Sequence, residues 1–134
     1  MAQTQKPTNL GYGEIGRFMA GEAATCVKSI VGLTGACTAA EASTFANPGG
    51  ATKLAANGFV LVNADTVASV QTTVTDDTVQ VDHVFTASGA QSVTGFAIEN
   101  DDDDVVYMVC CFAAALAMET SDTFPIPLPH LVVE

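Results

Sequence analysis

Three glycines near the N-terminus have the spacing of a dinucleotide-binding fingerprint. Gly11, Gly13 and Gly16 stand in the pattern GxGxxG, whose glycines let the backbone approach a pyrophosphate at the start of a helix. That chemistry needs a buried strand before the first glycine and a parallel βαβ unit around it. Residues 5–10 (QKPTNL) form no buried strand, and the rest of the chain favours antiparallel strands. The pattern therefore predicts arm or turn glycines, with no cofactor.

A run of carboxylates offers oxygen ligands for a hard cation such as Ca²⁺. The candidate ligands are Asp101, Asp102, Asp103 and Asp104. The run lacks the spaced DxDxDG pattern of a calcium loop and a later glutamate at loop distance. It is therefore predicted to be a solvated hairpin tip, and an ion held at a subunit junction is the alternative.

Histidines and cysteines show no catalytic or metal-binding spacing. His83 and His130 are the only histidines, and the four cysteines form neither a CxxC motif nor a Cys/His cluster. Cys110 and Cys111 are adjacent, so on a strand their side chains point to opposite faces. The sequence therefore predicts no catalytic residue, no metal and no enzyme activity. All four thiols are expected to be free, because no export signal is visible and cytoplasmic thiols stay reduced.

Composition and charge narrow the class of protein further. The chain has 134 residues, enough for one domain, and 49% of them are apolar, with no Trp. Its net charge of −11 repels phosphate backbones and anionic lipid headgroups, which argues against nucleic acid and membrane as partners. No apolar run reaches the roughly 18 residues that span a bilayer, and the start lacks a secretory pattern. We expect synthesis in a cytoplasm.

Most of the chain after residue 24 has the residue pattern that is typical of short β-strands. Val, Thr and Phe alternate with polar residues in runs that Gly, Asn and Asp separate. Such runs, spaced over about 110 residues, predict an all-β, antiparallel β-sandwich of Ig-like or jelly-roll type across 25–134. The predicted strands are Cys26–Leu33, Gly58–Asn63, Ala68–Thr75, Thr78–Thr86, Ser92–Glu99, Val105–Met118 and Thr123–Val133.

Two hairpins and an edge strand follow from local patterns. One hairpin is predicted to turn at Asp76-Asp77, and the other spans the acidic run. Pro125, Pro127 and Pro129 recur at every second residue, so their missing N–H groups would lie along one edge of a strand. The last strand is therefore predicted at a sheet edge, where it blocks further strand addition. A polyproline-like tail that docks on another subunit is the alternative.

Residues 1–24 are predicted to form an N-terminal arm with a short helical turn across 14–22. Ile15, Phe18 and Met19 fall on one face at i, i+3 and i+4. This stripe is too small to hold a lone helix in water. We expect the arm to contribute to assembly more than to folding of the sandwich.

The strand predicted at Val105–Met118 is apolar on both faces. Such a strand must be covered on both sides, because an open face would create a large apolar patch. We expect the domain core to cover one face and a second sheet or a neighbouring subunit to cover the other, giving a homo-oligomer. The predicted assembly interface comprises Ile15, Phe18, Met19, Val109, Phe112, Ile126 and Leu128.

Several short motifs follow one another in a characteristic order along the chain. They are TNLG at 8–11, IVGLTG at 30–35, VQTTV at 70–74, HVFTASGA at 83–90 and VTGFAI at 93–98. In this order the chain resembles small structural proteins of tailed bacterial and archaeal viruses, the decoration or tail-fibre-like proteins. The resemblance implies a place in the virion, capsid or tail proteins as partners, and no catalytic residues. Cys37 and the proline series depart from that class.

The sequence therefore predicts a virion structural protein that assembles on the capsid or tail surface, as a decoration or cement protein or as a tail or fibre component. The alternative is a host-encoded extracellular binding or filament module of the adhesin type. Sugar-binding platforms usually expose Trp and Tyr, and this chain has no Trp and two Tyr. A secreted filament also needs an export signal.

Overall fold

The described part of the chain is mostly β, with one short α-helix, and its strands pair antiparallel. The computed structural model describes residues 3–54, 62–63, 66–70, 78–82, 84–100, 103–125 and 130–132. In chain order the elements are β1 (Gln3–Pro7), α1 (Asn9–Met19), β2 (Ser29–Thr34), β3 (Thr52–Lys53), β4 (Val62–Asn63), β5 (Thr66–Val70), β6 (Thr78–Asp82), β7 (Val84–Thr86), β8 (Gln91–Asn100), β9 (Val105–Met118), β10 (Thr123–Pro125) and β11 (His130–Val132).

The central sheet is built on the two longest strands, β8 and β9. They pair from Asn100 opposite Val105 to Gln91 opposite Met118, which confirms the hairpin predicted across the acidic run. On one side β1 pairs with β9, and on the other β2 pairs with β8. β3 and β4 both pair with the far side of β2. The order is therefore β1-β9-β8-β2-β3, with β4 also on β2.

The strands predicted at 78–86 and 123–133 are neighbours, but each is divided in two. β7 pairs with β10, with Val84 opposite Pro125, and β6 pairs with β11, with Gln80 opposite His130. The register thus shifts by one residue between the two segments. Among the described strands, β10 and β11 each pair on one side only, which is the edge position that the sequence predicts. Pro127 and Pro129 lie outside the described residues.

The hairpin predicted to turn at Asp76-Asp77 pairs antiparallel, as β5 with β6. Val70 lies opposite Thr78, a register whose midpoint is residue 74, whereas a two-residue turn at Asp76-Asp77 would set Val70 opposite residue 83. The predicted turn residues themselves lie outside the described part of the chain.

One side of the central sheet, here called the first face, packs against the strand β7. The first face presents large side chains that include Ile30, Phe96 and Met108, and they share a core with Phe85 and its neighbour Ala87. The ring centroids of Phe96 and Phe112 lie 6.1 Å apart, within the usual range for aromatic pairs. Among the described residues, apolar side chains therefore cover the first face.

The opposite side, the second face, is covered by residues 35–51, here called the cover loop. The second face presents Val31, Leu33, Ala97, Val106 and Val109. The cover loop contributes small residues, and a disulfide bond joins its Cys37 to Cys111 on β9, with a Cα separation of 5.6 Å. The side chains of this second core that come from the cover loop are Cys37, Ala39 and Ala51.

The disulfide corrects the prediction that all four cysteines are free. Cys37 and Cys111 are 74 residues apart, and only the path of the cover loop across the sheet brings them together. Cys26 and Cys110 are free, as predicted. Spacing along the chain could not reveal this pair, because nothing local marks either cysteine.

The strand β9 has two halves with different surroundings. Val105–Phe112 is buried throughout, whereas 113–115 is exposed. In the buried half both covers come from this chain, so the strand needs no neighbouring subunit to close its second side. The apolar pattern of β9 predicted that both of its sides are covered. The sequence predicts a second sheet or a neighbouring subunit on the second side, and in the structure the cover loop lies there.

Candidate functional site

The helix α1 begins at a threonine that anchors it to the central sheet. Thr8 is fully buried, and its Oγ1 accepts a hydrogen bond from the Gly11 N–H at 3.0 Å, a common way to satisfy a free amide at a helix start. The Thr8 N–H donates to the Tyr107 carbonyl at 2.9 Å, and its hydroxyl donates to the Val106 carbonyl. The helix therefore starts at Asn9, not at Glu14 as predicted, because Thr8 is fixed against β9.

The first glycine of the GxGxxG pattern is required by packing. A Cβ atom at Gly11 would lie 2.8 Å from the Tyr107 carbonyl oxygen and 2.9 Å from its Cα, so the helix backbone rests directly on β9. A Cβ at Gly13 or Gly16 would meet nothing within 4 Å. The pattern lies inside α1 and follows an antiparallel strand. Its glycines therefore do not form the turn of a parallel βαβ unit, where a pyrophosphate would bind.

A polar network holds the middle of the helix. Glu14 is buried, and its carboxylate accepts hydrogen bonds from the Thr25 N–H at 2.7 Å and from Arg17 at 3.1 Å. The Thr25 hydroxyl lies 2.6 Å from the Tyr107 hydroxyl. Burial raises the pKa of the Tyr107 phenol; the Thr25 hydrogen bond lowers this pKa and the charge of Glu14 raises it again. The network ties α1, Thr25 and β9 together.

The C-terminal turn of α1 exposes large apolar side chains. Phe18 is 77% exposed and Met19 is 80% exposed, while Ile15 is half-buried. Leu10 and Tyr12, nearer the start of the helix, are also partly exposed. Single exposed apolar residues are ordinary, but adjacent ones at this level of exposure mark candidate contact surfaces. We call Phe18 and Met19 the helix patch.

The other residues predicted for the assembly interface lie elsewhere. Val109 is fully buried under the cover loop, where Gly49 lets the loop approach: a Cβ there would lie 3.1 Å from Val109 Cγ1. Phe112 is buried with the first face. In this fold Val109 and Phe112 pack within the chain. Ile126 and Leu128 lie outside the described residues.

A buried ion pair is the feature that sequence reasoning missed. Glu99 on β8 is fully buried, and its carboxylate oxygens lie 2.9 and 3.1 Å from Lys53 Nζ. The Lys53 ammonium also lies 3.3 Å from the ring centroid of Phe45, in the cover loop, which is cation–π geometry. The sequence did carry a signal for this pair, because Glu99 follows directly on an apolar strand, where a carboxylate needs a cationic partner. The chain has only four basic residues that could be that partner.

The remaining candidates for a nucleophile or for metal ligands do not come together at one site. Burial raises the pKa of the Cys110 thiol to about 12, so it stays protonated at neutral pH and is a poor nucleophile. Asp103 and Asp104 are exposed in the turn before β9, whereas Asp101 and Asp102 lie outside the described residues. Within the described ranges, no group of three or more His, Cys, Asp or Glu side chains is placed to hold a metal ion.

His130 lies on β11, and His83 falls outside the described part of the chain.

Among the described residues, no helix is long and apolar enough to cross a membrane. Comparison with family models, curated proteins and solved structures found no match to this chain.

Proposed function

We propose that this chain is a structural protein of a virus particle, which self-associates on the outer surface of the capsid or tail. The observation that carries the proposal is the helix patch. Phe18 and Met19 are held in water by a helix that Thr8, Gly11 and Glu14 fix to the sheet. A rigidly presented apolar surface loses little conformational entropy when it binds, which favours association.

The disulfide supports a location outside a reducing cytoplasm. Disulfide bonds persist on virion and cell surfaces and are rare among cytosolic proteins. Synthesis in a host cytoplasm, followed by oxidation of Cys37 and Cys111 after release, is consistent with the bond. The resemblance to decoration and tail-fibre-like proteins supplies the choice of a virion.

We also propose that the strands form a β-sandwich. The central sheet would be one layer, and β5, β6, β7, β10 and β11 the other. Support comes from the shared core of the first face, in which Phe85 packs with Ile30 and Phe96. The registers of the β7–β10 and β6–β11 pairs differ by one residue, as they would in one strand pair that contains a bulge.

The disulfide equally favours the second candidate, a host-encoded extracellular binding or filament module. Such a module would reach the same oxidising surroundings by export. It would be found on the cell surface or in the medium as free protein or filaments, and not in virus particles.

The test is the composition of purified particles. Virus particles from a culture that expresses the gene, banded on a density gradient, should contain this chain in many copies by mass spectrometry. Antibodies raised against the purified protein should label the outside of intact particles in electron micrographs. Recovery of the chain only from the cell surface or from filaments would contradict the proposal and support the second candidate.

A further inference from the structure

The disulfide bond lies where the two ends of the cover loop meet. Thr38 and Gly49, here called the neck, lie near opposite ends of the loop, and the Thr38 N–H donates to the Gly49 carbonyl at 2.9 Å. A Cβ atom at Gly49 would lie 3.2 Å from Cys37 Sγ and 3.0 Å from the Thr38 carbonyl oxygen. The bond from Cys37 to Cys111 on β9 therefore fixes the neck, and with it both ends of the loop, to the sheet.

Between its ends the cover loop has few other contacts with the described sheet. Besides Cys37, the side chains that it adds to the second core are those of two alanines. Its Phe45 is half-buried and lies against the Lys53 ammonium, and its Glu41 carbonyl accepts a hydrogen bond from the Asn9 N–H at 2.8 Å. Segments with few buried apolar contacts are the ones that open locally while the rest of a protein stays folded.

The rest of the described fold is held by contacts outside the cover loop. Thr8 and Gly11 fix the start of α1 on β9, and Glu14 accepts a hydrogen bond from Thr25. The described core of the first face contains no residue of the cover loop. The loop can therefore leave the second face without undoing the helix or the first face.

Cys37 is the more accessible half of the bond. It is partly exposed, whereas Cys111 is 5% exposed. An outside thiolate therefore reaches the sulfur of Cys37 first. The neighbouring Cys110 belongs to the core of the first face, so it lies on the other side of the sheet from the bond.

We propose that the bond between Cys37 and Cys111 is a redox latch. Reduction by a dithiol releases the cover loop from the second face while the sheet and α1 stay folded, and reoxidation locks the loop again. The latch is open where thiols stay reduced and closed where disulfides persist. The inference does not depend on the virion assignment, because it concerns the bond and the loop alone.

The chemistry is thiol–disulfide exchange. One thiolate of the dithiol attacks Cys37 Sγ, and the S–S bond breaks so that Cys111 leaves as a thiolate and takes up a proton. The second thiolate of the dithiol then attacks the dithiol's own sulfur in the mixed disulfide and releases Cys37, which also takes up a proton. Two electrons and two protons thus pass to the cysteine pair, and the dithiol becomes a disulfide. Exchange with another disulfide runs the same steps in reverse.

The first experiment labels the thiols of the folded protein with iodoacetamide, before and after treatment with dithiothreitol, and locates the labels by tandem mass spectrometry. The exposed Cys26 should be labelled in both states, and the buried Cys110 in neither. Cys37 and Cys111 should be labelled only after reduction. The open loop exposes Cys111, so its labelling rate should come within about tenfold of that of Cys26.

The second experiment measures hydrogen exchange of single amides by NMR in the oxidised and reduced protein. The amides of Thr38 and Asn9, whose hydrogen bonds need the closed loop, should exchange about 100-fold faster after reduction. The amide of Thr8, which donates to β9, should not change. Cys37→Ser should show the reduced pattern without any reductant, and the matched control Cys26→Ser should keep the oxidised pattern.

Unchanged exchange at Thr38 after reduction, with Cys111 labelled as slowly as Cys110, would overturn the latch, because the loop would stay closed without the bond. Faster exchange at Thr8 as well would also overturn it, since the bond would then hold the whole fold. So would a bond that dithiothreitol does not reduce in the folded protein. None of these results bears on whether purified particles contain the chain.

Discussion

The two faces of the central sheet are similarly apolar but are closed by different means. On the first face, large side chains such as Phe96 and Met108 pack against Phe85. On the second face, Val109 meets the cover loop, whose contacting residues are small and include Gly49 and Ala51. This side also has a disulfide bond and the buried ion pair between Lys53 and Glu99.

The difference shows how a loop poor in large side chains can close a core. Burial stabilises a protein by about 25 cal/mol per Å² of apolar surface, so alanines and glycines contribute little. Small residues do let the loop lie close to the sheet, as at Gly49. We infer that the covalent bond provides part of the stability that side-chain volume provides on the first face. The charged pair adds little net stability by itself, but its Lys53 also contacts Phe45 of the cover loop.

The largest expected effect comes from breaking the ion pair of the second face. Lys53→Met should lower the free energy of unfolding by about 3–5 kcal/mol, because it leaves the buried Glu99 carboxylate without its ammonium. The matched control is Lys6→Met, which removes a half-exposed pair with Glu41 at 4.0 Å and should cost less than about 1 kcal/mol. Urea denaturation measures both. Equal losses would show that burial does not distinguish the two pairs.

The next effect is loss of the disulfide. Cys37→Ala/Cys111→Ala should lower the free energy of unfolding by up to about 4 kcal/mol, the chain-entropy value for a 74-residue separation. Cys26→Ala, at an exposed free cysteine, should change it by less than about 0.5 kcal/mol. Thiol titration of the denatured, unreduced wild type should find two free thiols of the four. A result of four free thiols would show that no disulfide bond joins the cover loop to the sheet.

The smallest expected effect is on stability at alkaline pH, through the buried thiol of Cys110 on the first face. Burial raises the pKa of Cys110 to about 12 from an ordinary value near 9, so the unfolded chain releases this proton at lower pH than the folded chain does. The stability that the buried thiol provides is complete below about pH 9 and is lost as the pH rises towards 12. Cys110→Ala should flatten the fall in melting temperature over that interval. An identical fall in both proteins would contradict the burial of this thiol.

Particular elements show what could be predicted and why. Val105–Met118 was predicted with the bounds that the structure has, because acidic and polar residues bracket a long apolar run. The segment 3–19 was harder: β1 is a polar strand whose position depends on β9, and α1 packs through a glycine and a glutamate. Most of the large apolar residues of α1, which carry the usual helix signal, are left exposed.

The sequence by itself determined the strand-rich, antiparallel character, the hairpin across the acidic run and the need to cover β9 on both sides. Those properties depend on the alternation of apolar and polar residues and on turn residues, which are features of a few consecutive positions in the sequence. The tertiary structure alone decided that Cys37 meets Cys111, that Lys53 meets Glu99 and that Phe18 and Met19 stay in water. Each of these depends on where a distant segment crosses the sheet, and local sequence does not encode that path.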